Sequence, residues 1–144
     1  MDYCEGKQGR TFLIRFDHNE NIIEELQKFA VKERIVYAWL FCLGAIKRAD
    51  IVCGPKETTV PPLPLWHQII EGHEIIAIGN ITRLDDEPAI HLHAGLGRAD
   101  KARISCIRKI SETYLTIECL VMEYTDVSIH RKENKEMGIN TLHF

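Results

Sequence analysis

Residues 88–97 read Pro-Ala-Ile-His-Leu-His-Ala-Gly-Leu-Gly, and the alternation around His91 and His93 marks this stretch as a β-strand. Side chains at i and i+2 of a strand leave the same face, so the two imidazoles point into one space with their bases about 7 Å apart, at roughly 3.3 Å of rise per residue. Two imidazoles so placed can converge on a single ion. A zinc-type transition-metal site is therefore the leading chemical expectation. The plainer reading, two histidines facing solvent or a polar pocket, stands beside it until other residues weigh in.

Working outward, the chain is mostly short β-forming runs. Residues 9–16 form a first predicted strand and residues 21–34 the one convincing helix, with Ile22, Leu26 and Phe29 on one face, Asn21 placed as N-cap and Glu24 three residues on. Residues 36–46 and 49–52 read as two strands, with a bend or bulge at Lys47-Arg48. Residues 54–65 carry Pro55, Pro61, Pro62 and Pro64. A proline lacks the N–H that a central strand donates, so this segment is a long loop or an edge excursion. Strands resume at 74–82 and 90–96, a shorter one follows at 104–110, and a long one at 114–122 continues to 127–130. Residues 132–137 are a charged stretch before the end. Many strands with one early helix predict an α+β fold built on a mostly antiparallel sheet. At 144 residues, one domain over 1–144 is expected. No internal repeat is present.

Composition narrows the classes. Hydrophobic residues at 45% and charged residues at 27% are ordinary globular values, which removes disordered, collagenous and disulfide-rich classes. The most apolar run, residues 35–46, is too short to span a bilayer, so no membrane partner is expected. The first ten residues lack the apolar core of a secretory signal, giving an expectation of a cytoplasmic protein. Five cysteines without a Cys-x-x-Cys pair argue against a disulfide framework. Cys42 and Cys119 read as buried thiols in apolar strands. The net charge of −3 argues against a broad nucleic-acid surface, because neutralising phosphates supplies most non-specific affinity. Arg98, Lys101, Arg103, Arg108 and Lys109 form the one basic cluster, read as a solvated face.

Four stretches together resemble one family. They are Gly44-Ala-Ile-Lys-Arg-Ala-Asp, Glu74-Ile-Ile-Ala-Ile-Gly-Asn-Ile, His91-Leu-His-Ala-Gly-Leu-Gly97 and Gly138-Ile-Asn-Thr-Leu. This is similar to the plant-and-prokaryote-conserved (PPC) domain, which pairs with AT-hooks in plant nuclear proteins and also stands alone in prokaryotes. The resemblance covers nearly the whole chain from Gly9. It implies a PPC-like α+β domain assembled as a homotrimer, a metal on the His-x-His histidines in some members, and predicted DNA binding. A sheet too large for one helix to cover also favours burial between subunits.

The chain departs from the family in two places. It has no Arg-Gly-Arg-Pro AT-hook, so any DNA binding is expected to be weak and salt-sensitive. About sixteen residues after the first motif histidine, where the family often has Gly-Gly-His, the ungapped position is Ile107, with Cys106 beside it. One residue fewer in the turn around 98–101 brings Cys106 into that place, and a thiolate is an acceptable zinc ligand. His73, where the family tends to carry a carboxylate, is the candidate fourth ligand. His67 reads as an exposed loop residue, and His18, His130 and His143 as isolated surface or cap residues. Glu74, Ser105 and Cys106 are the only groups offered for acid–base or nucleophilic work, and no hydrolase, P-loop or dinucleotide motif occurs. Two classes remain: a zinc-containing trimeric binding module, with DNA as a possible partner, or a metal-dependent enzyme acting on a small molecule.

Overall fold

The computed structural model describes all 144 residues. In chain order the elements are β1 (Lys7–Phe16), α1 (Ile22–Glu33), β2 (Ala38–Pro55), β3 (Pro64–Ile69), β4 (His73–Leu84), β5 (Glu87–Arg98), β6 (Lys101–Thr125), β7 (His130–Asn134) and β8 (Ile139–His143). The fold is α+β and mostly antiparallel, as the sequence predicts. β2 pairs with both β4 and β6, and β5 bridges β4 to β6, so the four strands close a circuit around the core. β1 lies along the C-terminal half of β6, β3 along the end of β2, and the β7–β8 hairpin along the end of β4.

The helix starts where the sequence places it. Asn21 Oδ1 accepts the N–H groups of Ile23 at 3.2 Å and Glu24 at 3.4 Å, satisfying donors that no helical turn can reach. Arg34 ends the helix in the left-handed region, at φ 57°. Ile22, Leu26 and Ala30 form the fully buried stripe, which packs over β5 and β6. Complete burial of Ile22 and Leu26 stabilises the fold by about 1.5–3 kcal/mol each. Phe29 lies at the rim of that stripe, edge-on to Phe12 with ring centroids 5.0 Å apart.

Three differences from the expected elements share one cause, the length over which backbone pairing continues. The strands predicted at 36–46 and 49–52 are one strand, β2, and Lys47-Arg48 is a bulge inside it, where the register to β6 shifts between Ile46 and Arg48. The segments at 104–110 and 114–122 likewise merge into β6, with an irregularity at Leu115 (φ 58°). The proline-rich excursion returns as the edge strand β3, which begins only at Pro64, after Pro61 and Pro62. The charged stretch near the C-terminus is largely a hairpin, β7–β8. No helix is long and apolar enough to cross a membrane.

Candidate metal centre

β5 and β6 are joined by a two-residue turn, with Arg98 opposite Lys101 and Ala99 at φ 53°. That turn sets the register of the whole hairpin, and the register puts Cys106 directly opposite His93. Cross-strand partners share a face of the sheet, so His91, His93 and Cys106 leave it on the same side. Their donor atoms all lie within 4.8 Å of one another. Nε2 of His91 and Nε2 of His93 are 3.1 Å apart. That separation suits an N–H···N hydrogen bond, and it is also close to the edge of about 3.3 Å in a tetrahedron with zinc–nitrogen bonds of roughly 2.0–2.1 Å. Two imidazole nitrogens and a sulfur are a donor set of the kind zinc and related transition metals take, so the residues present fit the expected metal.

The strand on the other side of β5 makes this approach possible. Gly79 faces Leu92, and a Cβ there would collide with the carbonyl oxygen of His91. Only glycine lets β4 run so close at this point. The next residue, Asn80, is the register partner of His91.

Arg131, on β7, holds the outer side of His91. Its Nη2 donates to His91 Nδ1 at 3.1 Å and to Asn80 Oδ1 at 3.1 Å. Its Nε donates to Thr82 Oγ1 at 3.2 Å, and Nη1 to the Asn140 carbonyl at 3.1 Å. Burial, then the charge of Arg131, pushes the His91 pKa down to about 4, so the ring is neutral near pH 7, the form in which imidazole binds metals. Burial raises the Cys106 pKa, with Arg108 and Arg131 working against it. Beside the three donors opens a cleft of about 240 Å³, walled by Val52, Pro55, Pro62, Pro64 and Arg108.

His73 is not brought to this cluster. It stands at the start of β4 opposite Ile46, seven residues from Asn80 and hence roughly 23 Å away along the strand. Its Nδ1 lies 2.8 Å from the Glu71 carbonyl oxygen. His67 sits on the edge strand β3 rather than in a loop. His18 accepts the Leu115 N–H at 3.0 Å, and His130 and His143 face each other as a stacked pair across β7–β8. The basic cluster is divided: Arg98 pairs with Glu71 at 2.6 Å, while Arg108 turns into the cleft. Arg131 and Asn80 had no assigned role in the sequence reading. The Gly-Asn pair of the β4 motif is the signal that pointed toward Asn80.

A protein-family model, the Plants and Prokaryotes Conserved (PCC) domain, matches residues 3–125. No curated protein matches the chain. Among solved structures, the chain superposes on a metal-containing protein from Archaeoglobus fulgidus with a TM-score of 0.88 at 21% identity, covering 100% of each chain. A plant- and prokaryote-conserved (PPC) protein from Pyrococcus horikoshii gives a TM-score of 0.83 at 22% identity, covering 97% of this chain and 96% of that one. A protein from Bacteroides thetaiotaomicron, described as a candidate DNA-binding protein, gives 0.79 at 21% identity, covering 96% of this chain and 97% of the other. At these identities the likeness establishes the fold, and the family model establishes the relationship: the chain belongs to the Plants and Prokaryotes Conserved domain family.

Proposed function

We propose that this chain is a zinc-containing, homotrimeric binding module of a single domain, with the metal held by His91, His93 and Cys106. The observation that carries this reading is the convergence of two imidazole nitrogens and one sulfur within 4.8 Å. Zinc is favoured over magnesium or calcium because the donors are nitrogen and sulfur rather than oxygen. A bound metal supplies a Lewis-acid centre and keeps the Cys106 thiol deprotonated. Holding it through His91 Nε2 leaves that ring's proton on Nδ1, so the bond from Arg131 to Nδ1 is given up. The three other acceptors of Arg131 keep its guanidinium in place. Five free thiols suit the reducing interior of a cell, in keeping with a cytoplasmic location.

Support for the homotrimer comes from the outer face of β1, β2 and β4. Leu13, Phe41, Leu43, Ile76 and Ile78 are all exposed there and contiguous. An apolar patch of this kind marks an interaction surface. The occupant we assign is a different face of a second copy, packed head to tail in a closed ring of three.

A metal-dependent enzyme is the second reading. It is favoured by three protein donors rather than four beside a cleft, since a metal held by three would have room for a water or a substrate. Association with DNA ranks behind both, because the cations are dispersed and the chain is acidic. Elemental analysis of full-length protein purified without a histidine tag tests the metal. About one zinc per chain is expected, falling to background in the His91→Ala/His93→Ala variant. Unchanged metal content in that variant would refute the assignment.

A further inference from the structure

The cleft beside the three donors lacks negative charge. Arg108 lines it and enters none of the ion pairs of the fold, unlike Arg10, Arg15, Arg48 and Arg98, each of which stands beside a carboxylate. No Asp or Glu lines the cleft. Behind His91, Arg131 is half-buried and bonded only to neutral groups: a hydroxyl, a side-chain amide, a backbone carbonyl and the imidazole. A divalent ion with a single thiolate adds further positive charge. A half-buried cation without a counter-charge is unfavourable, and an anion in the cleft would face Arg108, exposed at its mouth, with Arg131 behind His91.

The opposite wall has different chemistry. Pro55, Pro62 and Pro64, with Val52, present rigid apolar surface. The space of about 240 Å³ falls below the roughly 300–1,000 Å³ of pockets for drug-sized ligands.

We propose that the cleft binds a small organic anion, a carboxylate or phosphate carried on a compact apolar body. The head lies between the metal's open position and the Arg108 guanidinium, and the body lies against Pro55, Pro62 and Pro64. This rests on the metal reading above and names the ligand class of the same site. Guanidinium favours such heads because its N–H fork matches two oxygens at once. The proline wall has little conformational freedom to lose on binding, so an apolar body gains contact there at low entropic cost.

Isothermal titration calorimetry on full-length, tag-free protein tests the site, with zinc content measured on the same samples. The probes are acetate, benzoate and inorganic phosphate. Proteins compared are the zinc-loaded wild type, zinc-loaded Arg108→Met and the metal-stripped wild type. Benzoate is expected to bind more tightly than acetate, to weaken at least tenfold in Arg108→Met, and to weaken further without zinc. Zinc-loaded wild type that binds none of the probes, or that binds them no better than Arg108→Met, would overturn the anion site while leaving the metal reading standing. Binding of phosphate with neither carboxylate would overturn the apolar body. Wild type that takes up no zinc refutes the metal reading. In that protein, Arg108-dependent binding of benzoate still supports the anion site, and its absence overturns it.

Discussion

Along one cross-strand row the outer face of the sheet passes from apolar side chains to the three candidate metal donors. The registers align Leu13, Leu120, Phe41 and Ile78 with His93 and then Cys106. At the first end, on β1, β2 and the C-terminal half of β6, the side chains are apolar and open, with Leu13 86% exposed. At the second end, on β5 and the N-terminal half of β6, the side chains are nitrogen and sulfur donors among arginines. One end lacks apolar cover and the other lacks negative charge. On the reading proposed above the two ends take different partners, a second copy at the first and an anion at the second.

If that contrast is right, the two ends can be disabled separately. Leu13→Asp/Phe41→Asp puts charge into the apolar end, away from the donors. Sedimentation equilibrium at micromolar concentration should show the wild type at three times the chain mass and this variant at one, with zinc content per chain unchanged. A wild type that sediments as a monomer would break the comparison at its first end. A variant that loses zinc together with assembly would show that the two ends are one site after all.

The next effect sharpens the second end. Gly79→Ala drives a Cβ into the His91 carbonyl and should cost about 1–3 kcal/mol, the usual penalty for overpacking, read as a lower urea midpoint. Zinc content should fall with it. Gly97→Ala, on the same hairpin where a Cβ meets nothing within 4 Å, should stay within about 0.5 kcal/mol of wild type. Equal costs at the two glycines would mean that the close approach of β4 does not position His91.

The smallest effect lies off the row, where Arg10 Nε donates to Glu123 Oε2 at 2.7 Å and Nη2 to Oε1 at 2.9 Å. The hydrogen bonds and charge of Arg10 hold the Glu123 carboxyl below its usual range. The stabilisation is therefore present above the ordinary carboxylate pKa and is lost as pH falls through the lowered one. Urea midpoints measured from pH 7 down to about 3 should show a shallower decline in Glu123→Gln than in wild type. An identical acid limb would mean that the ionised pair adds nothing to stability at neutral pH.

How much of this was legible in the sequence follows from the range of the interactions. His91 and His93 were readable because a strand's period of two is local. Cys106 was reached only through the resemblance, with one residue fewer around 98–101, and the two-residue turn of the structure sets it opposite His93. His73 misled because its distance from the site depends on the register between β4 and β5, which its own neighbours do not encode. The helix boundaries followed from Asn21 and the apolar stripe. The merging of β2 and of β6 did not, because a bulge such as Lys47-Arg48 reads like a strand end. Arg131 was illegible for the strongest reason. It reaches His91 across forty residues of sequence, from a position just before a charged stretch that carries no site motif.

β7 meets β4 at a single parallel register position, Leu84 with Arg131, while the other strand pairs are antiparallel ladders. The family match ends at residue 125, before this hairpin begins, and all three donors lie within the matched part. With so little ladder between β7 and β4, Arg131 carries most of the hydrogen bonding from this hairpin to β4 and β5, through Thr82, Asn80 and His91. A change at that one side chain would alter what stands behind His91 and leave the ladders under the three donors as they are.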